Sequence, residues 1–256
     1  MLQNTASLHA SLACSDADIR AAQRLRYRVF VQEMGAGGPG VDHARELETD
    51  RFDPYADHLL LRDTRLTGGE TDGVVGVYRL MTSAHAQAAG QFYSASEFDL
   101  SPMMQSDAQV LELGRSCLHP AYRGGAALLA LWQGLARYVQ DRRLDLVFGV
   151  ASFPGADIPR HLHAISHLHA AYLAPPTLRV TARMTQPLDV LPPDKIDRKA
   201  AMRQTPALIK SYLKIGGVIG QGVYVDHAFN TTDICLILET RNLRSHVMHR
   251  ASEAAQ

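Results

Sequence analysis

Apolar residues recur along this chain with two periods, and the points where the period changes mark the expected elements. Residues 8–13 read as a short strand. Ser15-Asp16-Ala17-Asp18 has the form of a capping box, and Ile19, Ala22, Leu25, Val29 and Phe30 then follow at the spacing of one helix stripe. Residues 35–57 form a polar loop that opens with Gly35 to Gly40 and is rich in carboxylates. Strands are expected at 59–62 and 74–81, flanking a turn at Gly68-Gly69, and again at 110–118. Gly124 and Gly125 break the pattern. A helix follows from about 126 to 143, with Leu128, Leu131, Trp132, Leu135 and Val139 buried and Gln133, Arg137 and Gln140 facing water. After Asp145, residues 144–151 are apolar at consecutive positions, as in a central strand covered on both faces.

Asp157 is placed to cap another helix, with Pro159 near its first turn. A strand is expected at 178–184, then a connection through Pro192-Pro193. Thr205 as N-cap, Pro206 at the first helical position and Gly216 just past the end delimit a short helix. Residues 216–222 read as a flexible stretch and 234–238 as a last buried strand. The strand–helix–strand unit at 110–151 predicts an α/β or α+β fold around a mixed sheet.

Composition narrows the function classes. The chain has 256 residues, enough for one large domain or two small ones. Twenty-six basic residues balance twenty-six acidic ones, so no whole-chain field favours nucleic acid or an anionic membrane. Cys14, Cys117 and Cys235 are odd in number and far apart, which argues against a disulfide framework or a cysteine metal site. No secretory signal and no uninterrupted apolar run of about 18 residues is visible, so a cytoplasmic protein is expected.

Three features carry candidate chemistry. Glu46, Glu48, Asp50, Asp53 and Asp57 follow a helix bearing Arg24, Arg26 and Arg28. They read either as solvated surface or as a platform pairing Arg28 and offering surplus negative charge to a cationic substrate. Glu112 and Arg115 interrupt an apolar strand, where charges cost free energy unless paired or used. They lie on opposite faces unless a bulge intervenes. Tyr122-Arg123-Gly124-Gly125-Ala126 precedes a helix whose N-terminus favours an anion, or is a plain turn. His161, His163, His167 and His169 crowd one segment, but their HxxxH lacks an intervening Glu and a third ligand, so they read as a surface cluster and no metal is expected. Cys117 reads as a buried structural thiol.

In order, these pieces resemble a known pattern. Arg28-Val29-Phe30 and Glu48-Thr49-Asp50-Arg51-Phe52-Asp53 resemble the RxxVF…ExDxFD signature of acyl-homoserine-lactone synthases, with Tyr78-Arg79-Leu80 and Glu112-Leu113-Gly114-Arg115 at the later positions. A closer resemblance is to the ornithine-lipid-forming N-acyltransferases, a hemolysin-like branch of the GNAT superfamily. It rests on ADHLLL at 56–61, VVGVYRL at 74–80, FYSASEFD at 92–99, LELGRSCLHPAYR at 111–123, LWQGLARYV at 131–139, FGVASFPGAD at 148–157, ALIKSYLKIGG at 207–217 and VDHAFNTTDI at 225–234.

The resemblance implies a single GNAT-like domain over 1–256, with a core at about 15–185, a part at 186–240 completing sheet and cleft, and a tail at 241–256. Its mixed sheet would be splayed to admit a pantetheine arm. The implied reaction moves a 3-hydroxyacyl chain from acyl carrier protein to the α-amine of L-ornithine, giving lyso-ornithine lipid. The GNAT pyrophosphate loop is only partly present in Arg123, Gly124, Gly125 and Ala126, which suits a donor bringing one 4′-phosphopantetheine phosphate and no nucleotide, with no bound cofactor. Glu112 is the implied base, directly or through water, and backbone N–H groups around Ser116 and Cys117 the oxyanion donors. Glu48, Asp50 and Asp53, organised by Arg28 beside Phe30, would hold ammonium groups; Arg79 or Arg115 would take the carboxylate. Arg123, Arg137, Arg142 and Arg143 offer charge to an acidic carrier. Residues 207–223, with Lys210 and Lys214, would touch the inner membrane surface as a peripheral contact. The rival readings are an acyl-homoserine-lactone synthase, which would use S-adenosylmethionine, and a non-enzymatic membrane-active factor.

Overall fold

A computed structural model describes residues 7–66, 68–69, 71–183 and 188–254. The strands of its main, eight-stranded sheet are β1 (Leu8–Leu12), β2 (Asp57–Asp63), β3 (Val74–Thr82), β4 (Val110–Leu118), β5 (Leu146–Pro154), β6 (Val218–Ile219), β7 (Tyr224–Asp226) and β8 (Thr231–Glu239). The order is β1-β2-β3-β4-β5-β8-β6, with β7 also on β8. All pairs are antiparallel except β4 and β5. The α-helices longer than one turn are α1 (Asp16–Arg26), α2 (Ser83–Ala89), α3 (Gly125–Asp141), α4 (Leu162–Tyr172), α5 (Arg198–Gln204), α6 (Ala207–Lys214) and α7 (Thr240–Ala254).

The apolar alternation along the strands decides which helix covers which face. Leu59, Leu61, Tyr78, Leu111, Val147, Leu236 and Leu238 form one face, covered by Leu131, Trp132 and Leu135 of α3, with Ile209 and Tyr212 of α6 joining them. On the other face, Leu60, Val77 and Cys117 receive Ala22 and Leu25 of α1. Phe52, Phe92 and Phe98 pack with Met81, Phe148, Cys235 and Ile237. The Ser15 hydroxyl caps α1 by accepting from the Asp18 N–H. From Tyr27 to Glu33 the chain continues as a π-helical stretch, which shifts the phase of the stripe.

Two local devices open the sheet. β4 and β5 pair only from Val110↔Leu146 to Glu112↔Phe148, then separate. Where they part, Gly149 sits so close that a Cβ there would lie 2.1 Å from the Leu113 carbonyl oxygen. Between β3 and β4, Val77 pairs with Cys117 but Arg79 with Gly114, so Tyr78 faces two residues, Arg115 and Ser116. Arg115 occupies the left-handed region, φ 49°. This bulge frees backbone groups from the ladder and re-aims Arg115.

Several expectations are corrected. Thr205 does not cap α6; it ends α5, its hydroxyl donating to the Ala201 carbonyl, and Pro206 precedes α6. The strand expected at 178–184 shrinks to Thr181–Ala182, paired with Phe98–Asp99, and Met184 lies outside the described residues. The stretch expected to be flexible at 216–222 carries β6, paired with Ile237 and Leu236 of β8. Helix α6 turns Ile209 and Tyr212 into the core and leaves Ala207 and Lys214 outside. Among the described residues no helix is long and apolar enough to cross a membrane.

Candidate active site

A cleft of about 440 Å³ follows the open V, between Gly114–Leu118 on β4 and Val150–Pro154 on β5. Phe30, Tyr93, Arg115, Arg123, Asp226, Phe229 and Asp233 also line it. Behind it, toward α6, lies a narrow apolar pocket of about 40 Å³ between Leu113, Val147, Leu208, Leu236 and Leu238. The hydroxyls of Tyr78 and Tyr212, which also line that pocket, are 3.0 Å apart.

One wall of the cleft rests on a closed ring of buried charges. Arg26 bonds Glu48, and Arg115 bonds Glu48 at 3.2 Å and Asp50 at 2.7 Å. Arg79 bonds Asp50 and lies 3.4 Å from Asp53, which returns to Arg26 at 2.8 Å. Three guanidinia alternate with three carboxylates, so the ring has no net charge. Burial alone would raise Asp50 and Asp53, but the guanidinia outweigh it and hold both below the usual carboxylate range. Glu48, Asp50 and Asp53 are thus consumed within the ring and present no surplus charge to a ligand. The arginine expected to organise them was Arg28; the structure gives that place to Arg26, which is fully buried, whereas Arg28 lies near His119. Arg79 is likewise internal, 1% exposed, while Arg115 is the ring member on the cleft wall, its guanidinium 4.8 Å from the ring centres of both Tyr93 and Phe229.

Glu112 does not reach the cleft. Its two oxygens accept from the Tyr93 and Ser94 N–H groups at 2.9 and 2.6 Å, so it fixes the turn at 92–97. Burial pushes its carboxyl up despite those bonds. Ser116 and Cys117 do line the cleft, beside the bulge. Burial pushes the Cys117 thiol up to about 12.

The turn held by Glu112 carries a residue that the sequence reading left unused. Glu97, Asp226 and Asp233 bring carboxylate oxygens within 4.8 Å of one another, and among the described residues this is the group that could hold a cation. Burial, then the neighbouring Asp233 and Asp226, push Glu97 up to about 8; burial pushes Asp233 up to about 6. Asp233 was findable as a charge in the otherwise apolar run of β8, the argument that singled out Glu112. Glu97 and Asp226 carry no such local signal.

At the cleft mouth Arg123 forms a two-pronged pair with Glu33 at 2.5 and 2.6 Å. Helix α3 begins at Gly125 with Gly124 as a cap that offers no side-chain acceptor, and a Cβ at Gly124 or Gly125 would meet nothing within 4 Å. Its first N–H groups are open to an anion. Arg142 and Arg143 follow the far end of α3, about 25 Å away at 1.5 Å per residue over 17 residues, and Arg142 is 3.3 Å from Asp57. They are remote from the mouth. The histidines are dispersed in role: His161 bonds the Pro154 carbonyl, His163 accepts from the Asp197 N–H, and His169 joins the Ile165 carbonyl to the Gly222 N–H.

Comparison with known proteins adds the lineage. Residues 25–133 match the acetyltransferase (GNAT) domain family. The L-ornithine N(alpha)-acyltransferase of Rhodobacter capsulatus is 47% identical over 235 residues, 92% of this chain and 91% of that protein. The L-ornithine N(alpha)-acyltransferase of Brucella abortus is 39% identical over 259 residues, 99% of this chain and 92% of that one. Among solved structures, a CoA-dependent acyl-homoserine lactone synthase has a TM-score of 0.54 at 14% identity, covering 95% of this chain and 88% of its own, a likeness of fold.

Proposed function

This chain belongs to the L-ornithine N(alpha)-acyltransferase family, and from that premise we propose that it moves a 3-hydroxyacyl chain from acyl carrier protein to the α-amine of L-ornithine, giving lyso-ornithine lipid. The observation that carries the reading is the V between β4 and β5, bulged on one side and backed by an apolar pocket. The whole chain acts as one domain: about 15–185 shapes the donor cleft, and 186–240 closes it with β8.

A thioester laid in the V directs its acyl chain to the pocket at Leu113, Val147 and Leu238 and its phosphopantetheine phosphate to Arg123, Gly124, Gly125 and Ala126. The amine must attack as the free base. An α-amine titrates about two units below a side-chain alkylammonium, worth about 3 kcal/mol of preference for the α position. As the N–C bond forms, the carbonyl oxygen takes up charge beside the backbone N–H groups at the bulge, around Ser116 and Cys117. Collapse breaks the C–S bond, and the proton lost by the amine goes by way of solvent to the departing thiolate. Arg115, whose Nη1 takes no part in its pairs with Glu48 and Asp50, receives the acceptor's carboxylate, and Phe30 and Phe229, 6.1 Å apart edge to face, wall the cleft. Glu112 serves as a positioning residue.

Two outcomes follow. Cys117→Ala should keep most of its activity, because a thiol titrating near 12 is protonated at neutral pH and direct aminolysis needs no acyl-enzyme. Loss of turnover in that variant, with an acyl-cysteine trapped in the parent protein, would contradict the mechanism. The donor is tested by kcat/KM for matched 3-hydroxyacyl thioesters. Without a full pyrophosphate loop, the carrier-protein thioester should be preferred over the CoA thioester by about 100-fold, equivalent to about 2.7 kcal/mol. Equal values would refute the donor assignment.

A further inference from the structure

We propose that Glu97, Asp226 and Asp233 form the pocket for the side-chain ammonium of the amino-acid acceptor, and so decide both which amino acid is taken and which of its nitrogens is acylated. The proposal rests on the reading of ornithine as acceptor.

The geometry is that of a built cation site. Glu97 and Asp233 are 3% and 2% exposed, and their Oε2 and Oδ1 atoms are buried with no hydrogen-bond partner among the described residues. Unpaired buried carboxylate oxygens cost free energy in the free protein and are tolerated where a ligand completes them. Both converge with Asp226 within 4.8 Å. Asp226 is held in place because its Oδ1 accepts from the Ala228 and Phe229 N–H groups at 2.8 and 3.0 Å. Asp226 and Asp233 lie on the cleft, so the cluster opens toward a bound substrate. The nearest guanidinium, Arg115, forms its ion pairs with Glu48 and Asp50 and not with the cluster. Among the described residues the three carboxylates form no ion pair, and an alkylammonium supplies three N–H donors for them.

The arrangement also explains selectivity for one nitrogen. An ammonium surrounded by carboxylates has its own pKa raised and stays protonated, so it cannot attack the thioester. The α-amine, outside the cluster and beside Arg115, can lose its proton and react.

The groups facing the cluster are Tyr93, Arg115, Ser152, Tyr224 and Thr231. The protonated carboxyls of the free protein must ionise when an ammonium enters, so ornithine uptake near pH 7 should release about one proton. With folded-state values raised above those of the unfolded chain, the carboxyls favour the folded state at low pH, and that contribution is lost as pH rises from about 4 through 6 to 8. Glu97→Gln and Asp233→Asn should therefore unfold at or above the parental Tm at pH 8.

The test is calorimetric binding of L-ornithine and L-norvaline, the same skeleton without the terminal amine, to the parent protein, Glu97→Gln and Asp233→Asn. The parent should bind ornithine about 100-fold more tightly, releasing a proton read from buffers of different ionisation enthalpy; in the variants the ratio should fall to within about fivefold, and proton release should disappear. In turnover, KM for ornithine should rise far more than kcat falls. An unchanged ratio in variants that are folded, or a lowered Tm with an unchanged ratio, would assign the carboxylates to structure and overturn the proposal while leaving ornithine as the acceptor. Tight binding of Mg²⁺ or Ca²⁺ alone, lost in both variants, would overturn it too. If the parent protein does not acylate ornithine, the acceptor reading fails. Carboxylate-dependent binding of n-butylammonium would in that case still uphold the cluster as an ammonium pocket.

Discussion

Arg79→Met is expected to cost about 3–5 kcal/mol of stability, a large part of the 5–15 kcal/mol typical of a folded domain. Arg79 is 1% exposed, bonded to Asp50 and Asp53, with Phe52 and Tyr93 rings 5.4 Å away. Methionine keeps much of the volume but leaves three carboxylates facing two guanidinia inside the protein. Removing one partner of a buried ion network is far costlier than replacing the network with apolar groups, because the uncompensated charge stays buried. Urea unfolding at neutral pH measures the loss, and Asp50→Asn in the same chain should restore part of it by rebalancing the charge. Asp50 and Asp53 titrate below the usual carboxylate range when folded. Their contribution is therefore present above about pH 4 and is lost only as pH falls toward the lower folded-state values. A change below about 1 kcal/mol in Arg79→Met would mean that the ring does not hold the 47–53 segment on the sheet.

Gly149→Ala should be nearly as damaging, and through geometry alone. The added methyl would lie 2.1 Å from the Leu113 carbonyl oxygen, a backbone atom that no rotamer change can move aside. Relief requires β5 to shift against β4 just where the V begins. Overpacking of this kind costs about 1–3 kcal/mol, and the upper end is expected here because both partners are central strands. The catalytic loss should be larger than the stability loss suggests. A displacement of about 1 Å moves the thioester relative to the bulge N–H groups, and misplacement of that size can cost about 100-fold in rate. Steady-state kinetics on protein shown to be folded by circular dichroism separates the two effects. A folded variant with the parental kcat would show that the width of the V is not set at Gly149.

What the sequence disclosed followed from physics that acts locally. The strand at 110–118 and the helix after Gly124 were legible because burial on one or both faces imposes period 2 or 3.6 on neighbouring residues. The exchange of Arg28 for Arg26 shows where that logic stops. Arg26 sits in the stripe of Ala22, Leu25 and Val29, and an arginine within an apolar stripe signals a buried partner; counting back from Val29-Phe30, the R-x-x-V-F spacing also lands on it. The π-helical stretch from Tyr27 obscured the phase. Glu112 was rightly singled out as a carboxylate in an apolar strand, but pattern cannot show that its acceptors point at backbone N–H groups rather than into a cleft. The Glu97–Asp226–Asp233 cluster joins positions about 130 residues apart in sequence through the pairing of β7 and β8 beside the 92–97 turn, and only the fold brings them together.

The central claim is α-amide formation on ornithine from a carrier-bound acyl chain. It is tested by incubating the purified protein with 3-hydroxyacyl carrier protein and L-ornithine labelled with ¹⁵N at the α-nitrogen, then locating the label by tandem mass spectrometry. The account predicts a single product whose amide carries the label and whose terminal amine is free. Label in the free amine, a mixture of both isomers, or no amide from ornithine while S-adenosylmethionine yields an acyl-homoserine lactone, would contradict it.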